Sequence, residues 1–133
     1  MSRVIVAQVS ALAVGVVGLA VVGVAHADGD IALRLTEQGI QAQQGGDHEA
    51  AIAFFEASLS TMDHPKTRYF LGKSLRQVGR HGEALTQFES VKQVAEVKKY
   101  AMEIQVFIQA IELERRTKQL EAEYVALQAR CQP

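Results

Sequence analysis

Gly39 to Leu59 reads GIQAQQGGDHEAAIAFFEASL, and Gly72 to Lys92 reads GKSLRQVGRHGEALTQFESVK. Gly39, Gly46, Ala51 and Phe55 in the first stretch meet Gly72, Gly79, Ala84 and Phe88 in the second, each pair 33 residues apart. An echo of small residues and one aromatic at that period marks a stacked array of helical hairpins, so the expected fold is all-α. The physics of the individual positions agrees. A glycine inside a helix costs about 1 kcal/mol against alanine, and close approach of a neighbouring helix explains its presence at Gly39 and Gly72. Ala51 and Ala84 leave room for the facing helix, and Phe55 and Phe88 fill the space between.

Working outward, Gly45-Gly46-Asp47 is a turn whose Asp47 is a good N-cap for the next helix. The first helix is expected over about Ile31 to Gln44 and the second over His48 to Thr61. Met62-Asp63-His64-Pro65 links the repeats, with Pro65 suited to a first helical turn. A third helix runs about Lys66 to Val78. Gly79-Arg80-His81-Gly82 turns the chain again, and a fourth helix covers about Glu83 to Val91. From Val94 to Arg130 there is no glycine or proline, which predicts one long helix or two with an unmarked kink. Its apolar residues fall at Val97, Ala101, Ile104, Ile108 and Ile111. A second stripe, shifted by two, takes in Leu113, Leu120, Tyr124, Leu127 and Cys131. The first stripe is expected to supply the third layer that a two-hairpin array needs to close its core. Val106 and Ala110 are left for a partner, a second copy or the returning end of the helix.

These features resemble the tetratricopeptide repeat family over about Ile31 to Val94. The resemblance rests on Leu71-Gly72, the turn glycines Gly46 and Gly79, Ala51 and Ala84, Phe55 and Phe88, and Pro65. The family also favours a leucine before the first glycine and an aromatic three residues after it. Here those places hold Gln38 and Ala42, then Leu71 and Leu75. The implied fold is an α-α superhelix with a long C-terminal capping helix, built as two hairpins over 28–94 and an amphipathic helix over 95–133. The implied concave surface takes Leu33, Thr36, Ile40 and Gln43 from the first helix and Lys66, Tyr69, Lys73 and Arg76 from the third. Lys99, Met102 and Val106 of the long helix add to it. Lys66, Tyr69, Lys73 and Arg76 are three, four and three apart and so share a helix face. Such a face suits an acidic peptide or a C-terminal carboxylate. The family's carboxylate clamp is not carried over, because Thr36 and Ile40 depart from its asparagines and lysines.

The N-terminus reads as an address. Arg3 is the one charge in the first 27 residues, Ala11 to Val24 contains only Ala, Val, Leu and Gly, and Ala25-His26-Ala27 precedes Asp28. A basic start, an apolar stretch and a small-residue site describe a cleavable export signal over 1–27. Val4 to Val24 is also long enough to span a bilayer, so an uncleaved inner-membrane anchor is the alternative. Removing Arg3 from the 14 basic residues leaves 13 against 15 acidic, which gives no electrostatic footprint for nucleic acid. Cys131 is the single cysteine, so no internal disulfide framework exists.

No catalytic or metal-binding constellation stands out, and no cofactor is implied. His48 and His81 hold equivalent places in the two repeats, which points to packing and away from a shared metal. The serines lie within helices without a base partner, and no phosphate-binding loop is present. The expected function is an exported, periplasmic or secreted, non-enzymatic scaffold that binds a protein or peptide. Homodimerisation through the long helix and a membrane-tethered accessory role are the alternatives. The exported chain is expected to begin at Asp28. Intact-mass measurement on the exported protein checks this, and a mass retaining residues 1–27 selects the tethered form.

Overall fold

A computed structural model describes residues 27–132. Over them the protein is all-α. Helix α1 is described over 27–44. It is followed by α2 (His48–Thr61), α3 (Pro65–Gln77) and α4 (His81–Val91). A 3-10 turn at Ala95–Tyr100 then leads into the long α5 (Ala101–Cys131). Successive helices are antiparallel neighbours, α1 with α2 and α3 with α4, and α5 lies against the second pair.

The two hairpins are closed by the same chemistry. Gly46 and Gly79 have φ of 84° and 82°, a left-handed conformation that glycine adopts without penalty. In each turn the residue after this glycine donates its N–H back to a carbonyl five residues earlier. Asp47 reaches Ala42 O and Arg80 reaches Leu75 O, both at 2.9 Å. The glycine N–H itself bonds Gln43 O in one hairpin and Arg76 O in the other, both at 3.1 Å. This is the double bond of a Schellman C-cap. Asp47 then caps α2 by accepting from Ala50 N at 3.0 Å. Pro65 stands in the first turn of α3, and the His64 side chain accepts from Lys66 N.

Inside each hairpin a phenylalanine ring lies on a glycine. A Cβ built on Gly39 would sit 2.5 Å from Phe55 Cε1, and one on Gly72 would sit 2.8 Å from Phe88 Cε1. Ala51, Phe55, Ala84 and Phe88 are all fully buried. The packing expected of the repeated residues is therefore met in both copies. Burying a ring of this size contributes about 1.5–3 kcal/mol. The rings join across layers: Phe55 stacks on Phe70 at 6.2 Å, Tyr69 on Tyr100 at 4.3 Å, and Phe88 on Phe107 at 5.3 Å.

The segment after α4 departs from the long helix expected from Val94. Val94 is extended, at φ −81° and ψ 128°, and the chain takes a 3-10 turn before α5 begins at Ala101. The reason lies in the repeat. Adding 33 to the link at Met62 to Pro65 gives Ala95 to Lys98, so the break is a second inter-repeat link, here without a proline to announce it. The turn buries Val97 beside Val91. The same offset carries Leu71, Leu75 and Val78 onto Ile104, Ile108 and Ile111, the three fully buried residues of α5. It carries Gly79 onto Glu112. No left-handed cap forms at a glutamate in this place, and α5 runs on for 31 residues, about 46 Å at 1.5 Å per residue.

The inner face of α5 closes the core, but its outer face is not that of a capping helix. Terminal units in such arrays present a polar outside, whereas Val106 and Leu113 stand opposite the buried stripe and are exposed. Residues 115–132 are exposed throughout.

Gly72→Ala is expected to destabilise the fold by up to about 2 kcal/mol, since a clash of about 1–3 kcal/mol outweighs a propensity gain of about 1 kcal/mol. Gly82→Ala, where an added Cβ meets nothing within 4 Å, should instead be neutral or stabilising by up to about 1 kcal/mol. Urea denaturation of the two variants checks the opposite signs.

Candidate partner-binding surface

The residues expected on one concave surface fall into two separate places. Leu33, Thr36, Ile40 and Lys66 line a cleft of about 150 Å³ at the N-terminal ends of α1 and α3. Met62 and His64 of the inter-repeat link complete its rim. Its walls are largely apolar, and Leu33 at 58% exposure stands open to solvent.

The floor of the cleft is polar and fully committed. Thr36 Oγ1 lies 2.8 Å from Ser58 Oγ and 2.9 Å from Thr67 Oγ1. Ser58 Oγ donates to Ala32 O at 2.8 Å. All three hydroxyls are buried. Thr36 Oγ1 also donates to Ala32 O at 3.0 Å, so every hydroxyl hydrogen in the cluster has an acceptor within reach. The cluster also pins α1, α2 and α3 to one another, as a saturated buried network does. Thr36 is consequently not a free groove side chain. It forms the base of the cleft, with its hydroxyl already bonded.

The second place is the α3–α5 contact, and it corrects the expected basic face. Tyr69 is 1% exposed and belongs to the core. Its hydroxyl donates to Glu103 Oε2 at 2.6 Å, while Lys73 Nζ lies 3.3 Å from Glu103 Oε1. Lys73 also sits over the Tyr69 ring, Arg76 over Phe107 and Lys99 over Tyr100, at 5.4, 5.1 and 4.8 Å. Gln43 Nε2 donates to Phe70 O and to Ser74 Oγ, which ties α1 to α3. Gln43 is spent on the α1–α3 contact, and Tyr69 and Lys73 are spent on the third layer, which lies over this face of α3. Met102, 84% exposed, joins neither place.

Two further expectations are refined. His48 and His81 do not share an environment: His81 Nδ1 lies 2.7 Å from Glu114 Oε2, whereas His48 Nδ1 is buried without a partner among the described residues. Of the expected cleavage site, Ala25 lies outside the described residues, and Ala27 and Asp28 are already helical. The apolar stretch from Val4 to Val24 also lies outside them. No described helix is long and apolar enough to cross a membrane. Among the described residues no group of three or more His, Cys, Asp or Glu side chains is placed to hold a metal.

Glu103 is the residue that sequence reading passed over. It is the carboxylate that pairs with Lys73 and accepts from Tyr69 on the α3 face. The signal for it was the repeat offset continued once more, since Ile104 and Ile108 mark α5 as the helix that follows α3 in the stack. Comparison with protein-family models, with curated proteins and with solved structures gives no match.

Burial and the bond to Glu103 push the Tyr69 phenol above its ordinary value of 10.0. A group whose pKa rises on folding gives stability that is complete below its unfolded value and is lost as pH rises past it. Tyr69→Phe is expected to be less stable than the parent by about 1.5–3 kcal/mol at neutral pH, with the gap closing above pH 10. Denaturation curves across that range check it.

Proposed function

We propose that this protein is an exported, non-enzymatic scaffold of the tetratricopeptide repeat type. It holds an extended segment of a protein partner at the cleft between α1 and the start of α3. The observation that carries the reading is the convergence of Leu33, Ile40 and Lys66 on one open, mostly apolar cleft. Pockets that bind a peptide combine apolar contact with a few placed polar groups. Leu33, Ile40 and Met62 provide the first, and the Lys66 ammonium, with the Glu37 carboxylate in the same lining, provides the second. The matching segment carries an apolar side chain that enters the cleft and an acidic group beside it. His64 Nδ1 accepts from Lys66 N at 3.2 Å, and the three hydroxyls bond one another.

The site is smaller than the concave surface implied by the resemblance, because Tyr69, Lys73 and Gln43 are committed to packing. It therefore favours a short anchor and not a long helical ligand. Selection of a displayed random peptide library against the protein tests this. Enriched peptides are expected to share an apolar residue next to Asp or Glu. Leu33→Asp and Lys66→Glu should each weaken their binding at least about ten-fold, or 1.4 kcal/mol, with the melting temperature unchanged. Binders indifferent to both substitutions would remove the cleft from the account.

A further inference from the structure

Helix α5 carries two apolar stripes on opposite faces. Ile104, Ile108 and Ile111 pack against the second hairpin. Two positions along, and so about 200° around the helix at 3.6 residues per turn, runs a second stripe. Val106, Leu113, Leu120 and Leu127 recur every seven residues. Ala110, Thr117, Tyr124 and Cys131 fall between them at alternating steps of four and three. Val106, Leu113, Leu120, Tyr124 and Leu127 are 55–66% exposed. Nearly four heptads with Val106 and three leucines at the d positions have the pattern of a coiled-coil seam. Helices in proteins draw most of their stability from packing an amphipathic face, and the exposed end of α5 presents such a face along this seam.

We infer that a second copy of this chain occupies the seam, giving a parallel two-stranded coiled coil in which the helical bodies flank the outer faces. The charges beside the seam select both the partner and the direction. In a parallel pair the residue before each a position meets the residue five further along the other strand. Arg116 then faces Glu121 of the second copy, twice by symmetry, while Glu123 faces uncharged Gln128. An antiparallel pair with full overlap sets Arg116 against Glu123 but also Glu114 against Glu121, so its like-charge contacts cancel its gains. Glu114 is moreover already bonded to His81. The seam lies opposite the buried stripe, so pairing leaves the packing of Ile104, Ile108 and Ile111 undisturbed.

Cys131 is exposed and lies at the last a position of the seam, where it reports the direction of pairing. A parallel pair brings the two thiols together across the axis. The antiparallel pair sets Cys131 opposite Val106 and separates the thiols by about 37 Å at 1.5 Å per residue. The full chain, purified under reducing conditions, is treated with a short-armed bis-maleimide and run alongside sedimentation equilibrium. A dimer mass together with efficient Cys131 cross-linking is expected. Leu120→Lys, which puts a charge in the seam, should cut the cross-linked fraction at least about ten-fold. Ala122→Lys, on the outer face of the same turn, should leave it unchanged. A monomer at equilibrium overturns the inference. A dimer that does not cross-link at Cys131, or one equally sensitive to Ala122→Lys, overturns it too. Peptide selection at the α1–α3 cleft with the Leu120→Lys variant keeps this result separate from the fate of that site.

Discussion

The contact of a phenylalanine ring with a helical glycine sets the geometry of the rest. Two helices in a hairpin approach as closely as their interface side chains allow. At Gly39 and Gly72 nothing stands between the backbone and the ring, and Ala51 and Ala84 keep the next turn equally thin. The same close approach in both hairpins makes them near copies, and near copies stack. Phe55 and Phe88 are thereby held at matching depths. The intervening Phe70 and Tyr69, then Tyr100 and Phe107, can continue a file of rings through three layers. Aromatic pairs at such spacings add about 0.5–1.5 kcal/mol each beyond their buried area, so the file rewards the register that the glycines impose.

What ends the array is the loss of the two glycines. The place of Gly72 in a third unit is Gln105, and the place of Gly79 is Glu112. With Gln105 there is no backbone groove to receive another phenylalanine. With Glu112 there is no left-handed cap to turn the chain back. Both changes act together: the helix that would have begun a third hairpin goes straight on. Its inner face still carries the core residues of the repeat, and its outer face keeps the apolar character of an interior helix. Such a terminal layer lacks the polar outside with which arrays of this kind end.

Much of this was legible because small residues and turns have few alternatives. Gly46 and Gly79 read as left-handed caps, Asp47 as an N-cap and Phe55 and Phe88 as fillers, each from local chemistry alone. The faces of α1 and α3 were read less well. Thr36 and Tyr69 are amphipathic, and at helical spacing they look like the polar side of a groove. Their burial follows from what packs over them, namely the Ser58 and Thr67 hydroxyls in one case and Glu103 with Tyr100 in the other. Those partners are 22 to 34 residues away in sequence. The break before α5 was hidden for a different reason. Its counterpart link has Pro65 to mark it, and Ala95 to Lys98 has no such marker, so only the repeat period betrays it.

The placing of Glu103 reorganises the electrostatics. A file of Lys66, Lys73 and Arg76 on one helix face would attract acidic ligands if left in water. Glu103 turns its centre into a contact between layers: one carboxylate accepts the Tyr69 hydroxyl and pairs with the Lys73 ammonium at once. Arg76 is laid on Phe107, where its charge meets a ring face. Exposed pairs of this kind add little stability by themselves, but with Tyr69 buried beneath them the three groups lock the third layer at a fixed angle to α3. Only Lys66, one turn beyond the reach of α5, remains at an open cleft. The division follows from the helix itself: its later turns are covered by α5, and its N-terminal turn stays open to solvent.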